Sequence, residues 1–290
     1  MLGKDMITDP MRWQLVMELS ADALQVVAFT PYEHQAMVYD SIGLDKALPT
    51  ELKQVENAVY DNPMLLGDFG RVTVLCDTLR FLVIPDLVAA DEDVAVAAFR
   101  RVFPDNRCES RGEVIVSRLP DMQLAVAFEI SSDVSSFLRR TFPSVAITHP
   151  LIPLCAYFRS KHRTRGYGKM LVNLGHGRLD VVILGDSAPL LVNSYRFREP
   201  MDAVYYILAA RKTLRLSDTD EIIIGGDRML RAQVTPVLRR YVRYVMPAIF
   251  PSVMFKAGRA SLSAPFEMVL SPLTDDMWRR RQESVNTLQQ

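Results

Sequence analysis

Two glycines set two residues apart, Gly175 and Gly177, break an otherwise strand-like run from Leu171 to Leu184. Glycine there lets the backbone turn tightly or approach another group closely. The flanking Asn173 and Asp180 bring an amide and a carboxylate to the same loop. A second pair, Gly225-Gly226, ends the apolar run Ile222–Ile224. Each pair has two readings. A turn between strands accounts for Gly175 and Gly177, and a strand-to-helix turn capped by Asp227 accounts for Gly225 and Gly226. The functional alternative is a backbone cradle whose amides face an anion.

Other residues capable of chemistry are dispersed. His34, His149, His162 and His176 show no metal-ligand spacing with one another or with Cys, Asp or Glu. Cys76 and Cys155 sit in apolar runs, where a reduced cysteine acts as a small hydrophobe, and Cys108 has no Cys-x-x-Cys partner. Gly166-Tyr-Gly168 lacks the third glycine of a dinucleotide fingerprint, and no Gly-x-Ser-x-Gly elbow occurs. Arg228, Arg231, Arg239, Arg240 and Arg243 fall in one expected helix, where a solvated face is the plain reading and a nucleic-acid contact the alternative. Lys161, Arg163, Arg165 and Lys169 form a second basic patch with the same two readings.

The elements that must position these residues follow one grammar twice. In the first half, Leu15–Leu19, Leu24–Phe29 and Gln35–Tyr39 read as an antiparallel meander, followed by a helix over 50–60 and a strand at Val72–Cys76. In the second half, Lys169–Leu174, Leu179–Leu184 and Leu190–Arg196 precede a helix from Pro200 to Leu214 and a strand at Glu221–Ile224. At an offset of 155 residues, Leu19 meets Leu174 and Val26-Val27 meets Val181-Val182. The first half carries an insertion over roughly 77–130, with a helix from Asp91 and a hairpin over 113–130. A helix then runs to Phe142, a strand follows at Val145–His149, and a helix leads from Pro150 to Lys161. His162 to Gly168 reads as the hinge. A helix over 228–244 ends the repeat, Val253–Phe255 and Phe266–Leu270 read as strands or a short helix, and the polar tail from Asp275 frays.

With these residues in view, the chain resembles the actin-like ATPase superfamily, and within it a degenerate bacterial family of unknown function. The phosphate loop of the second domain there reads approximately Asp-x-Gly-x-Gly-x-Thr-Asp; here the octet is Asn173-Leu-Gly175-His-Gly177-Arg-Leu179-Asp180. The later Gly-Gly that holds the adenosine side corresponds to Gly225-Gly226. The resemblance implies an α/β chain with mixed sheets: two duplicated actin-like, ribonuclease H-like domains, 1–165 and 166–290, with the insertion in the first. It implies a nucleotide cleft at Asn173, Gly175, Gly177, Asp180, Gly225 and Gly226. The departures are chemical. Asn173 is a neutral amide where an acid stands, Leu179 replaces a hydroxyl, and Glu18-Leu-Ser20-Ala-Asp22 replaces the first domain's Asp-x-Gly loop.

The expectation is therefore a vestigial cleft with no catalytic residue, no metal and no cofactor, ATP with magnesium being the alternative. Two readings compete with a non-catalytic scaffold: a divergent ATP-dependent kinase or ATPase using Asp180 or Glu18, and an RNA-associated protein using the basic helix. Thirty-four basic residues balance thirty-four acidic ones, so nothing global points to nucleic acid or an anionic surface. No apolar run approaches the ~20 residues of a membrane span. A cytoplasmic protein with an unidentified protein partner, or one that self-associates, is expected.

Overall fold

The computed structural model describes residues 7, 9–30, 36–104, 112–162, 169–175, 177–185 and 188–274. Residues 163–168 of the hinge expected at 162–168, His34, His176, Cys108, the start of the third strand at Gln35 and the tail from Asp275 lie outside the described residues.

The first half opens with β1 (Gln14–Leu19), β2 (Ala23–Thr30) and β3 (Ala36–Gly43). Ser20 closes the first turn, with its hydroxyl accepting from the Ala23 N–H at 3.1 Å. Helix α1 (Glu51–Tyr60) follows, its start fixed by the Thr50 hydroxyl accepting from Lys53 N–H. Then come β4 (Arg71–Cys76), β5 (Phe81–Pro85), α2 (Glu92–Val102), β6 (Glu113–Leu119), β7 (Leu124–Ile130), α3 (Ser132–Thr141), β8 (Ala146–Thr148) and α4 (Leu151–His162). The second half runs β9 (Met170–Leu174), β10 (Arg178–Leu184), β11 (Pro189–Arg196), α5 (Pro200–Thr213), β12 (Ile222–Gly226), α6 (Arg228–Leu238) and β13 (Val245–Pro247). Helices α7 (Ser252–Lys256), α8 (Ala260–Ser263) and α9 (266–274) complete it.

Two five-stranded sheets result, with orders β3-β2-β1-β4-β8 and β11-β10-β9-β12-β13. They match in sense as well as order. The meander is antiparallel, and the two remaining pairs in each sheet, counting from its central strand, are parallel: β1 with β4 and β4 with β8, β9 with β12 and β12 with β13. The insertion forms its own sheet, β5-β7-β6, under α2.

Both faces of β9 and β10 are buried, so these strands read as continuous apolar runs. Met170, Val172, Leu179, Val181 and Ile183 join α5 and α6 in one core. Leu171, Val182 and Leu184 face the core that contains α4 and the first half. By strand alternation, Asn173, Arg178, Asp180 and Ser194 lie on this second face. The sheet thus delivers its polar side chains toward the first half.

One sequence expectation changes, and one open alternative resolves. The helix expected over 228–244 ends at Leu238, because Pro236 interrupts the amide ladder and the chain beyond must reach β12, where Ile222 N–H donates to Tyr244 O and Val245 pairs with Ile222. Arg239, Arg240 and Arg243 therefore lie outside the helix carrying Arg228 and Arg231. The segments around 253–255 and 266–270 are both helical, and they return to the first half. Met254, Ala257, Met268 and Val269 pack against Val16, Val27, Phe29 and Leu75 on the first sheet.

Candidate functional site: a buried charge cluster beneath the cleft

In open α/β sheets, ligands meet the carboxyl ends of parallel strands. Here those ends bring together Glu18 of β1, Asp77 just past β4, Asn173 of β9 and Gly225-Gly226 of β12. Arg178 arrives with them because β10 runs antiparallel to β9 and starts where β9 stops.

Arg178 is the hub, and it is only 3% exposed. Its Nη1 lies 2.9 Å from Asp77 Oδ1 and 3.2 Å from Glu18 Oε1, its Nε 3.1 Å from Asp180 Oδ1, and its Nη2 2.5 Å from Glu267 Oε1. One guanidinium therefore joins two acids of the first half, one of the second and one from α9. Arg196 adds a second, half-exposed cation on Asp77 at 3.1 Å. Asn173 donates from Nδ2 to Asp180 Oδ2 (3.0 Å) and Glu267 Oε2 (2.9 Å), and the Ser194 hydroxyl donates to Asp180 Oδ1 (2.6 Å). Asn173, Asp180 and Ser194 sit directly opposite one another across the three strands. Glu18 Oε2 and Asn173 Oδ1 are buried with no hydrogen-bond partner among the described residues.

Four carboxylates exceed the positive charge that Arg178 and a partly exposed Arg196 provide. Burial, reinforced by the neighbouring acids, pushes Glu18 and Glu267 above the ordinary carboxylate range, against the pull of Arg178. Burial alone would raise Asp77 as well, but Arg178 and Arg196 overcome it and hold that group below its usual value. Burial works against the charged Arg178; Asp180, Glu267, Glu18 and Asp77 outweigh it and raise the guanidinium further. Burial and mutual repulsion thus bias Glu18 and Glu267 toward protonation, while the two arginines bias Asp77 toward its ionised form.

Above the cluster lies an open cleft of about 1400 Å³. The residues singled out in the sequence divide at this point. Gly175, Gly177 and Gly226 line the cleft, whereas Asn173, Asp180 and Gly225 do not reach it. Gly175 N–H donates to Arg178 O at 2.8 Å, closing the turn, and a Cβ at Gly175 would meet only ordinary contacts. Gly177 adopts φ +69° and Gly226 φ +90°. A Cβ on Gly226 would come within 2.2 Å of Leu174 O, so backbone packing between β9 and β12 requires this glycine. Gly225 lies under the Phe266 ring, 3.0 Å from where its Cβ would stand. Phe266 also packs edge-on to Tyr157 of α4 at 5.3 Å.

Sequence reasoning missed Arg178, Asp77, Ser194 and Glu267. The signals were present: an arginine and an aspartate two apart on one face of an apolar strand, and a lone glutamate inside Phe266-Glu-Met-Val-Leu270. Asp180 has both oxygens engaged by Arg178, Asn173 and Ser194, which leaves it poorly placed to accept a proton from water. Among the described residues, no three His, Cys, Asp or Glu side chains are arranged to hold a metal ion, and no helix is long and apolar enough to cross a membrane. A guanidinium already bonds Glu18, Asp77, Asp180 and Glu267, and Phe266 covers Gly225, while Gly226, the other glycine of the pair assigned to adenosine, lines the cleft.

Residues 6–245 match the model of the family described as "Protein of unknown function (DUF3822)". Among solved structures, the chain is similar to a Bacteroides thetaiotaomicron protein with an actin-like ATPase fold and unknown function. The two share 20% identity and a TM-score of 0.72, covering 93% of this chain and 99% of that one. It is also similar to a chain of the PilM–PilN type IV pilus biogenesis complex, at 13% identity and TM-score 0.54 over 90% and 97% of the two chains. Comparison with curated proteins returns no match.

Proposed function

This chain belongs to the DUF3822 family and has the actin-like ATPase fold, and we propose that it is a non-catalytic interaction protein in which a protein side chain has taken over the charge-neutralising place of the nucleotide site. The observation that carries this reading is Arg178, bonded to Glu18, Asp77, Asp180 and Glu267 between the two halves. A triphosphate approaching the loop over 173–180 would meet an acid-rich floor instead of free amides and a metal. The cluster also does structurally what a bound ligand does in a cleft: it connects both walls. The pilus protein in the PilM–PilN structure offers an analogy of a related fold found in a complex with a protein partner.

A divergent kinase or ATPase would need Asp180 or Glu18 as its acid. The first is saturated with hydrogen bonds, and the second is buried and held toward its protonated form. Calorimetry and a phosphate-release assay with magnesium-ATP test the proposal. Neither heat of binding at millimolar nucleotide nor turnover is expected. Turnover that disappears in a folded Asp180→Ala variant would overturn it.

A further inference from the structure

Sheet edges expose unpaired backbone donors and acceptors, and proteins usually cover, shorten or charge them. Among the described residues, five of the six edges of the three sheets are treated this way. β3 is covered by the C-terminal segment, with Met37 N–H donating to Ala257 O at 3.2 Å. β8 and β13 have three residues each, and β13 ends on Pro247. β5 has five residues and ends on Pro85; β6 carries Glu113 and Arg118, and its Ser117 hydroxyl accepts from Thr148 of β8 at 2.9 Å.

The sixth edge, β11, is different. It is eight residues long, with proline only at its first position and charge only at its last. Leu190 is 52% exposed. Beside the strand, Tyr195 stacks on Tyr206 of α5 at 4.8 Å, Tyr206 meets Tyr205 edge-on at 5.6 Å, and Tyr205 and Met201, one helical turn apart, are both exposed. An apolar and aromatic shelf thus flanks a row of backbone groups that no strand pairs with among the described residues.

We infer that β11 pairs antiparallel with β11 of a second copy of this chain, joining two five-stranded sheets edge to edge. The strand is complementary to itself. A twofold axis through Asn193 sets Leu191 opposite the second copy's Tyr195, Val192 opposite its Ser194, and Leu190 opposite its Arg196. Leu191 and Tyr195 lie on the face that packs toward α5, so the register keeps like faces together. It forms two aliphatic–aromatic cross-strand pairs and apposes no like charges. Self-complementarity of this kind is what an isologous interface requires, and it favours a second copy over an unrelated strand.

The test uses the full chain in sedimentation equilibrium, with thermal melting to confirm that each variant folds. A dimer is expected. Leu190→Lys would face Arg196 twice across the axis and weaken dimerisation about tenfold or more, whereas Leu190→Glu would leave it unchanged or tighten it. Asn193→Cys should give a disulfide-linked dimer under mild oxidation, since residues paired across the axis lie within disulfide reach. A chain that stays monomeric at about 100 μM would overturn the inference, whether or not it binds extended peptides. So would equal weakening by the lysine and glutamate variants, or an Asn193→Cys chain that does not cross-link.

Discussion

Replacing Arg178 with methionine keeps much of the side-chain volume and removes the charge that four buried carboxylates share. Arg178 is 3% exposed and Glu18 3%, Asp180 1% and Glu267 2%, so water cannot take over its role without opening the cleft. Removing one partner of a buried ion pair costs about 3–5 kcal/mol. At roughly 2–4 °C per kcal/mol for a chain approaching this size, the melting temperature should fall by about 6–20 °C. The loss must depend on pH. Glu18 and Glu267 have raised folded-state values, so their contribution favours the folded state at low pH and is lost as pH rises from the unfolded carboxylate value through the folded one. Without Arg178, Asp77 keeps only the half-exposed Arg196, and the folded variant must bind still more protons. The gap between native protein and variant should therefore be wider at pH 8 than at pH 5. Urea denaturation at both pH values measures it. A variant within about 1 kcal/mol of the native protein at pH 8, or a gap that does not change with pH, would refute the cluster's assigned role.

Glu18→Gln removes one excess acid whose second oxygen has no partner, and should leave stability at pH 8 equal or up to about 1 kcal/mol higher by the same denaturation assay. Gly226→Ala should cost about 2–4 kcal/mol, because φ is +90° and the new methyl would strike the Leu174 backbone, whereas Gly175→Ala should stay within about 1 kcal/mol of native. His149 is buried, and burial lowers it to about 4, with the Leu151 N–H donating to Nδ1 and Nε2 facing Thr78 O at 3.0 Å. Its depressed folded value means that stability present above the unfolded value near 6.5 is lost as pH falls toward 4; the His149 contribution should be a loss of up to about 3 kcal/mol through that window, set against the opposite trend of Glu18 and Glu267, and a His149→Gln variant should lack this component.

The frame was legible because it depends on local pattern. The short apolar runs Leu24–Phe29 and Leu179–Leu184, proline and hydroxyl helix starts, and the repeated meander–helix–strand order can each be read from neighbouring residues. The cluster was not, since Glu18, Asp77, Arg178 and Glu267 lie far apart in sequence and meet only once both sheets and the last helix are in place. The end of α6 was misread for a similar reason: helical arginine spacing continues past Leu238, and pairing of Val245 with Ile222 wins over it. The return of α7–α9 to the first sheet leaves no mark in residue periodicity at all.

That return sets an order of events during synthesis. One apolar surface of the first sheet, with Val16, Val27, Phe29 and Leu75, stays uncovered until Met254, Met268 and Val269 have left the ribosome. Emerging chains thus carry an exposed greasy patch from the completion of β4 until α9 emerges, which is where chaperone dependence would concentrate. Closure of the most distant contacts comes last and slowest. A chain cut short before residue 267 would keep most of its secondary structure, yet hold Arg178 with one acid fewer and leave the patch open to the first neighbour it meets.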